Sequence, residues 1–305
     1  MTRFSRPAVR VLAVALASCA AGCSVRQGAI NMIADTLAGS GTTFASDDDP
    51  DLIRDALPFS LKLMESVLAE TPEHRGLLSA LCRGFALYAK AFVEVEADRV
   101  EDRSFRRSVE IKRRARNLYL RARDYGLRGL EVAHPGFAGA VRASTQAASV
   151  LGPEDVELAY WTGVTWCAAA ALSKDDPGLV SELPQGEALV RRAFALEPDY
   201  DQGAIHQFLI TFEGGRPASM GGSLEKARAH FRRAVELTGG QSAAPYVALA
   251  EAVCVQLQDR REFESMLKQA LAIDPAARPA WRLANLIFQR RARRLLEQAD
   301  DLFLE

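Results

Sequence analysis

The chain has 305 residues, 49% of them apolar and 25% charged, and its formal net charge is −1. This is ordinary globular composition, sufficient for one large domain or two small ones. Neither basic nor acidic residues are in global excess, so the composition gives no argument for a nucleic-acid or polyanion partner, and no nucleic-acid partner is predicted.

The N-terminus has the pattern of an export signal. Three arginines within the first ten residues precede an apolar run at 11–17, and small residues follow up to Cys23. This apolar run is too short for a stable membrane span. A small-residue box before a cysteine is typical of bacterial lipoprotein signals, in which the thiol receives a diacylglycerol. We therefore predict a signal peptide at 1–22 and a lipid anchor on Cys23, which would hold the protein on the periplasmic side of a bacterial membrane, with the outer membrane favoured.

Two boxes compete for the lipid. Leu16-Ala-Ser-Cys19 has the preferred leucine three residues before the thiol, whereas Ala20-Ala-Gly-Cys23 has alanine there. Cys23 leaves a longer apolar region and starts a more polar mature chain, which favours it. Cys19 and an ordinary signal with incidental cysteines are the alternatives. No other segment approaches 18 consecutive apolar residues, so no further membrane span is predicted.

Residues 23–46 are expected to form the lipidated N-terminus and a tether, since Gly39-Ser-Gly-Thr-Thr43 suits a flexible tether or a loop after a short helix. A helical domain should then occupy 47–305. Its start is marked by Asp47-Asp-Asp-Pro50, because an aspartate N-cap with proline at the first helical position is a strong start signal. Thr71-Pro72 predicts the end of this first long helix.

Three later segments predict helices of different character. Leu77 to Val95 is apolar nearly all round, as a buried inner helix would be. Arg99 to Arg128 is strongly basic with an apolar seam, which fits either a solvated helix or a basic surface that faces a partner. Ala277 to Leu304 is predicted to form one long closing helix with a solvated charged face. No stretch alternates β-branched and polar residues, so the predicted class is all-α.

The later half repeats itself at about the period of a tetratricopeptide (TPR) unit, a pair of helices with small residues at the crossing. Three segments align so that Ala193, Ala234 and Ala270 occupy equivalent positions. Each has a preceding partner helix, predicted at 157–172, 201–212 and 245–257. Such degenerate TPR-like pairs would stack into a solenoid or bundle with a central groove or cavity.

No catalytic constellation is found in the sequence, so we predict no enzymatic activity, no cofactor and no metal site. The four histidines are dispersed, without an i, i+4 pair or an H-E-x-x-H motif. Cys82, Cys167 and Cys254 lie in apolar stretches without C-x-x-C spacing, which predicts buried free thiols.

The glycine-rich loop from Glu213 to Ser223 is the most unusual local feature. It leads into a helix but lacks the Gly-Lys-Ser/Thr ending of a phosphate loop. It is either a structural loop capped by Ser223 or a place where Arg216 holds an anionic ligand or partner. Aromatic residues near 160–166 belong to the core or line a cavity. The candidate ligand- or partner-binding residues are Tyr160, Trp161, Trp166, His206, Glu213, Arg216, Met220 and Arg260.

Several motifs, spread over the mature chain, carry a family resemblance in combination. They are Cys23-Ser-Val, Asp47-Asp-Asp-Pro50, Leu158-Ala-Tyr-Trp-Thr-Gly163, Phe212-Glu-Gly-Gly-Arg-Pro217 with Met220-Gly-Gly-Ser223, Gln258-Asp-Arg260, and Asn285 with Gln289-Arg-Arg-Ala-Arg293. The chain thereby resembles the TPR-like lipoprotein component of TRAP transporters, often called the TatT or T component.

The resemblance implies a bundle of TPR-like pairs around a cavity or pore, assembled as a homotrimer. It implies association with the periplasmic solute-binding protein of a TRAP system and delivery of a small ligand, either hydrophobic or an organic acid. It also favours Cys23 as the lipidated residue. The alternative function is a structural TPR adaptor that scaffolds an envelope assembly without binding solute.

Overall fold

The computed structural model describes residues 30–304, and every regular element in that range is helical, which confirms the predicted all-α class. Residues 30–38 form α1, and the later α-helices are Gly41–Ala45 (α2), Pro50–Glu70 (α3), Arg75–Tyr88 (α4), Val95–Val100 (α5), Phe105–Ala133 (α6), Phe137–Ala143 (α7), Val156–Ala171 (α8), Pro177–Ser181 (α9), Leu183–Leu196 (α10), Tyr200–Gly214 (α11), Leu224–Thr238 (α12), Ala244–Leu249 (α13), Val255–Leu257 (α14), Arg260–Ala272 (α15), Arg282–Glu297 (α16) and Ala299–Leu302 (α17). Short 3₁₀ turns lie at Thr145–Val150, Pro153–Asp155, Ala218–Met220 and Pro279–Trp281, and π-helical segments at Ala89–Glu94 and Ala250–Cys254.

The N-terminal part of the described chain is packed rather than extended. In the segment expected to act as a tether, residues 30–38 are helical and Ala34 is fully buried in the first hydrophobic cluster. The start of α3 is as predicted, since the Asp49 carboxylate accepts hydrogen bonds from the backbone N–H groups of Asp51 (2.9 Å) and Leu52 (3.1 Å). The predicted lipidation site Cys23, with its alternative Cys19, lies outside the described residues.

The apolar helix predicted from Leu77 begins at Arg75 and continues without a break to Val100, with a π-helical segment between α4 and α5. By length and composition alone this run could cross a membrane, but 61% of its most apolar window is buried against the rest of the chain, as in a core helix. The π-helical segment was not predicted, because a π turn inserts a residue without changing the apolar character of the helix.

The basic helix predicted from Arg99 to Arg128 is divided. The chain turns after Val100, and α6 begins at Phe105 with Ser104 as its N-cap. Its apolar seam is buried as predicted, with Ala115 and Ala122 fully inaccessible. The left-handed Gly136 (φ +87°) follows the end of α6, so the predicted break there is confirmed.

The predicted helix partners are neighbours in space. α8 packs against α10, α11 against α12, and α13 against α15. The aligned small residues Ala193, Ala234 and Ala270 are all buried at these contacts. The core accordingly runs as successive clusters along the chain, from α3–α6 through α6–α11 to α13–α17. Whether the pairs follow the detailed geometry of TPR units stays a prediction.

The C-terminal segment returns to the N-terminal helices and closes the array. Instead of one long helix from Ala277, the chain forms a 3₁₀ turn at Pro279–Trp281, then α16 and the short α17. α16 lies against α2 and α3. The prolines at 275 and 279 explain the later start, since proline favours the first positions of a helix over its interior.

All three cysteines in the described range are free and buried, as predicted. Burial raises the pKa of the Cys82 and Cys254 thiols to about 12. Burial also raises the pKa of Cys167. A thiol that stays protonated in an apolar environment is a weak nucleophile, so these cysteines are packing residues.

Candidate functional site

The predicted aromatic residues of α8 lie in the core. Tyr160 is buried, and its hydroxyl donates a hydrogen bond of 2.9 Å to the Ala204 carbonyl. Its ring meets the rings of Trp161 and Tyr200 with centroids 5.1 and 5.5 Å apart. Burial raises the pKa of the Tyr160 hydroxyl, so this group remains a neutral donor. The contacts join α8 to the start of α11.

Trp166 is fully buried and is surrounded by charged side chains. Its indole N–H donates to the Glu182 carboxylate at 2.8 Å. The guanidinium groups of Arg123 and Arg142 lie 5.2 and 5.6 Å from its ring centroid. Cation–π contacts of this kind stabilise a buried indole, so these contacts hold the Trp166 side chain in place.

His206 has a partner that the sequence analysis missed. Its Nδ1 lies 2.8 Å from the Nδ1 of His230, and the Phe194 ring stands nearly perpendicular to both rings, with centroids 5.3 and 5.7 Å away. Burial lowers the pKa of His206, although the nearby Asp199 carboxylate opposes this. Burial, followed by the charge of His206, lowers the pKa of His230 to about 4. The pair is therefore neutral near pH 7, with one ring donating and the other accepting.

Glu213 and Arg216 belong to one polar cluster but do not pair with each other. Glu213 is completely buried and is bound by Arg191. Arg216 pairs with Glu187 at 3.2 Å, donates to the Phe212 carbonyl at 2.9 Å, and stacks on the Phe212 ring. Because Arg191 also contacts Glu187, the four charges form a continuous network between α10 and α11.

This network shapes the glycine-rich loop. A Cβ on Gly222 would lie 1.9 Å from the Arg216 carbonyl oxygen, and Gly221 has a left-handed φ of +85°, so both positions require glycine. Ser223 caps α12 by accepting from the Lys226 N–H at 3.2 Å, as predicted. Met220 is exposed at the tip of the loop.

Arg260 lies apart from the other predicted residues. It opens α15 and pairs with Glu264 and with Asp300 of α17. The predicted residues therefore form an aromatic group on α8, a polar cluster around α11, and isolated positions, rather than a single pocket. Their role in binding stays a prediction.

The structure instead contains an arginine-lined cavity where the two ends of the array meet. Its volume is about 500 Å³, and its walls come from α3, from the run α4–α5, from α6 and from α16. The charged lining residues are Arg54, Arg99, Arg107, Arg114, Arg290, Arg291 and Arg294, with Asp51, Glu96 and Glu110. A second depression of about 630 Å³ shares Asp51, Arg99, Arg290 and Arg294 with it.

Ion pairs between chain ends hold this cavity together. Arg290 contacts Asp51 at 3.1 Å, and Arg291 contacts both Asp98 (2.7 Å) and Glu251 (2.6 Å). Burial disfavours the charged form of Arg291, but the two carboxylates outweigh it and raise its pKa. Arg294 donates to the backbone carbonyls of Val95 and Asp98 in α5.

The sequence held a signal for this cavity in two separate pieces. The basic stretch from Arg99 to Arg128 was interpreted as a solvated helix or a partner-facing surface, and the run Arg290 to Arg294 as part of a solvated face. Only the closure of the array places them opposite each other. Within residues 30–304, no group of three or more His, Cys, Asp or Glu side chains could hold a metal ion.

The described chain is thus an all-α array of packed helix pairs that closes around an arginine-lined cavity. A family model described as TRAP transporter T-component matches residues 46–303, and the chain belongs to that family. This confirms the resemblance seen in the motifs. A protein of Treponema pallidum (strain Nichols), described as an uncharacterized protein, is 34% identical over 320 residues, which cover 98% of this chain and 99% of that relative.

Proposed function

We propose that the protein is a lipid-anchored, periplasmic accessory component of a TRAP-type uptake system that binds the system's solute-binding protein and a small ligand. The family match over residues 46–303 carries this proposal, because it covers nearly the whole helical domain. The family is a transporter component and not a known enzyme family.

The cavity lining agrees with a binding role. Among the described residues, the polar groups of its lining are seven arginines, three carboxylates and the Tyr88 hydroxyl, without histidine, cysteine, serine or lysine. Arginine stays protonated at neutral pH and acts as a donor and a charge, not as a proton shuttle. Such an arginine-rich lining is suited to recognising a ligand by charge and hydrogen bonding.

The lipid anchor is a separate part of the proposal and has its own test. We expect Cys23 to be the acylated N-terminal residue, because it follows the apolar run and begins the polar mature chain. Mass spectrometry of the mature N-terminal peptide should show lipid on Cys23. Lipid on Cys19, or an unmodified cleaved terminus, would refute the assignment.

Co-purification tests the partner. The native lipoprotein, solubilised from membranes and captured under mild conditions, should bring down a TRAP solute-binding protein. A matched pull-down of an unrelated lipoprotein from the same membranes supplies the background. If envelope scaffold proteins co-purify and no solute-binding protein is enriched, the structural adaptor is the better function. The homotrimer stays a prediction, and sedimentation of the solubilised protein measures it.

A further inference from the structure

We infer that the arginine-lined cavity is a binding site for a small organic anion, a carboxylate or phosphate that carries a short apolar body. The inference names a ligand class for the accessory protein proposed above and so rests on that function. Its test measures ligand binding alone, however, and can fail while the solute-binding protein still binds.

The first argument is charge. Seven arginines face three carboxylates in the cavity lining, in a chain whose net charge is −1, so the positive charge is local. Four of the seven have a carboxylate partner: Arg54, Arg107, Arg290 and Arg291. The remaining three, Arg99, Arg114 and Arg294, have none among the described residues.

These three guanidinium groups differ in what they contact. Among the described residues, the one hydrogen-bond partner of the Arg114 guanidinium is the Tyr88 hydroxyl, at 3.5 Å, and the guanidinium lies over that ring. Arg294 donates to neutral backbone carbonyls. Arg99 is exposed on α5 and lines both the cavity and the adjoining depression. Seven arginines against three carboxylates leave the lining with excess positive charge, and a bound anion would relieve the repulsion among the arginines.

The second argument is the apolar wall. Tyr88 and Phe92 meet with ring centroids 5.8 Å apart, and Ile111 and Ile287 add apolar side chains from α6 and α16. The π-helical segment contributes Phe92 to this wall, and π turns within α-helices recur at functional sites. A cavity of about 500 Å³ with an apolar wall and convergent charged donors has the usual make-up of a small-ligand site.

The third argument is position. The unpaired arginines come from α5, α6 and α16, so one anion would contact both ends of the closed array. Binding should therefore raise the unfolding temperature, since a ligand that binds only the folded state stabilises it. Non-specific screening by salt acts on all exposed arginines, so a stabilisation caused by screening would not depend on the arginines of this cavity in particular.

Isothermal titration calorimetry on the full-length protein in neutral detergent tests the site. Hexanoate and hexyl phosphate are the anionic probes, and hexanol is the neutral probe of the same length. We expect saturable binding of the anions, weaker at high salt, and no comparable binding of hexanol. The substitutions Arg99→Ala and Arg114→Ala should each weaken anion binding about tenfold, the size expected for a lost charged hydrogen bond.

Arg113→Ala is the matched control, because Arg113 lies beside Arg114 on α6 but outside the cavity lining. Thermal unfolding of each variant checks that it is folded. The single variants Arg99→Lys and Arg114→Lys keep the positive charge and serve as a second pair if an alanine variant is unstable. The lysine variants should bind the anions more tightly than the alanine variants.

Three results would overturn the inference. They are equal binding of hexanol and hexanoate, equal anion affinity in the cavity variants and in Arg113→Ala, and binding only to phosphatidylglycerol vesicles with no soluble anion bound. The last result would assign the arginines to a membrane surface.

Discussion

The two neighbouring histidines, 206 and 230, are sensitive to pH because their rings share one hydrogen bond. Their Nδ1 atoms are 2.8 Å apart, so a proton on both would set two N–H groups against each other. The folded-state pKa of His230, about 4, lies below its ordinary value of 6.5. The stability that this neutral pair contributes is therefore complete above pH 6.5 and is lost as the pH falls towards 4.

We expect the free energy of unfolding to fall by about 1–3 kcal/mol between pH 7 and pH 4.5 through this pair. Carboxylates also titrate in that range, so the acid-induced loss of stability is compared between the wild type and His230→Gln, which keeps the carboxylates but lacks this imidazole. Urea unfolding at both pH values should show a larger acid loss for the wild type than for the variant. Equal losses in the two proteins would show that the pair does not carry the pH dependence.

The buried carboxylate of Glu213 is a second sensitive residue. It is inaccessible to solvent, and one of its oxygens has no hydrogen-bond partner in the described chain, so its charge depends on Arg191. Arg191→Ala should destabilise the protein by about 3 kcal/mol, because it leaves a buried charge unpaired.

Chemical denaturation measures this loss, with two variants for comparison. Glu213→Gln should cost less than Arg191→Ala, and adding Glu213→Gln to Arg191→Ala should restore part of the stability. If the double variant is no more stable than Arg191→Ala alone, the unpaired charge is not the cause.

At the scale of elements, the helix boundaries with polar caps or proline and glycine breaks followed from the sequence, while irregular features inside helices did not. Asp49, Ser223 and the break at Gly136 acted as predicted, since each satisfies or ends a helix locally. The turn before Phe105 and both π-helical segments were missed. Ser104, the N-cap of α6, is a local signal for the turn that the sequence analysis passed over, whereas neither π-helical segment has such a marker in the sequence.

The close crossing of α8 and α10 leads to a prediction about stability. Gly163 of α8 lies against Gly186 of α10, where an added Cβ would come within 2.6 Å of the Gly186 carbonyl oxygen. Gly163→Ala should therefore destabilise the protein by about 1–3 kcal/mol, because two backbones would have to move apart.

The matched control is Gly139→Ala in α7, where an added Cβ meets nothing within 4 Å. That substitution should be neutral or stabilising by about 0.5–1 kcal/mol, since alanine favours a helix more than glycine does. Thermal and urea unfolding distinguish the two. If both variants have the same stability, the crossing is looser than the structure shows.

At the scale of the whole molecule, the feature hardest to predict was the closure. Arg291 contacts Asp98, which lies 193 residues earlier in the chain, and this contact brings two basic segments to one cavity. The sequence identified each basic segment and the all-α class, but not their meeting. Most of the predicted site residues lie in the middle of the array, whereas Arg99, Arg114 and Arg294 meet at the cavity where its ends join.

The most direct test of the proposed accessory function is the binding of a purified TRAP solute-binding protein, encoded with the permease of the same organism, to the full-length lipoprotein in nanodiscs. Biolayer interferometry should show saturable binding in the micromolar range or tighter, with one site per protomer, as for a specific but transient interface. A solute-binding protein of an unrelated transporter is the control and should not bind. No saturable binding of the cognate protein, or equal binding of the control, would contradict the proposed function.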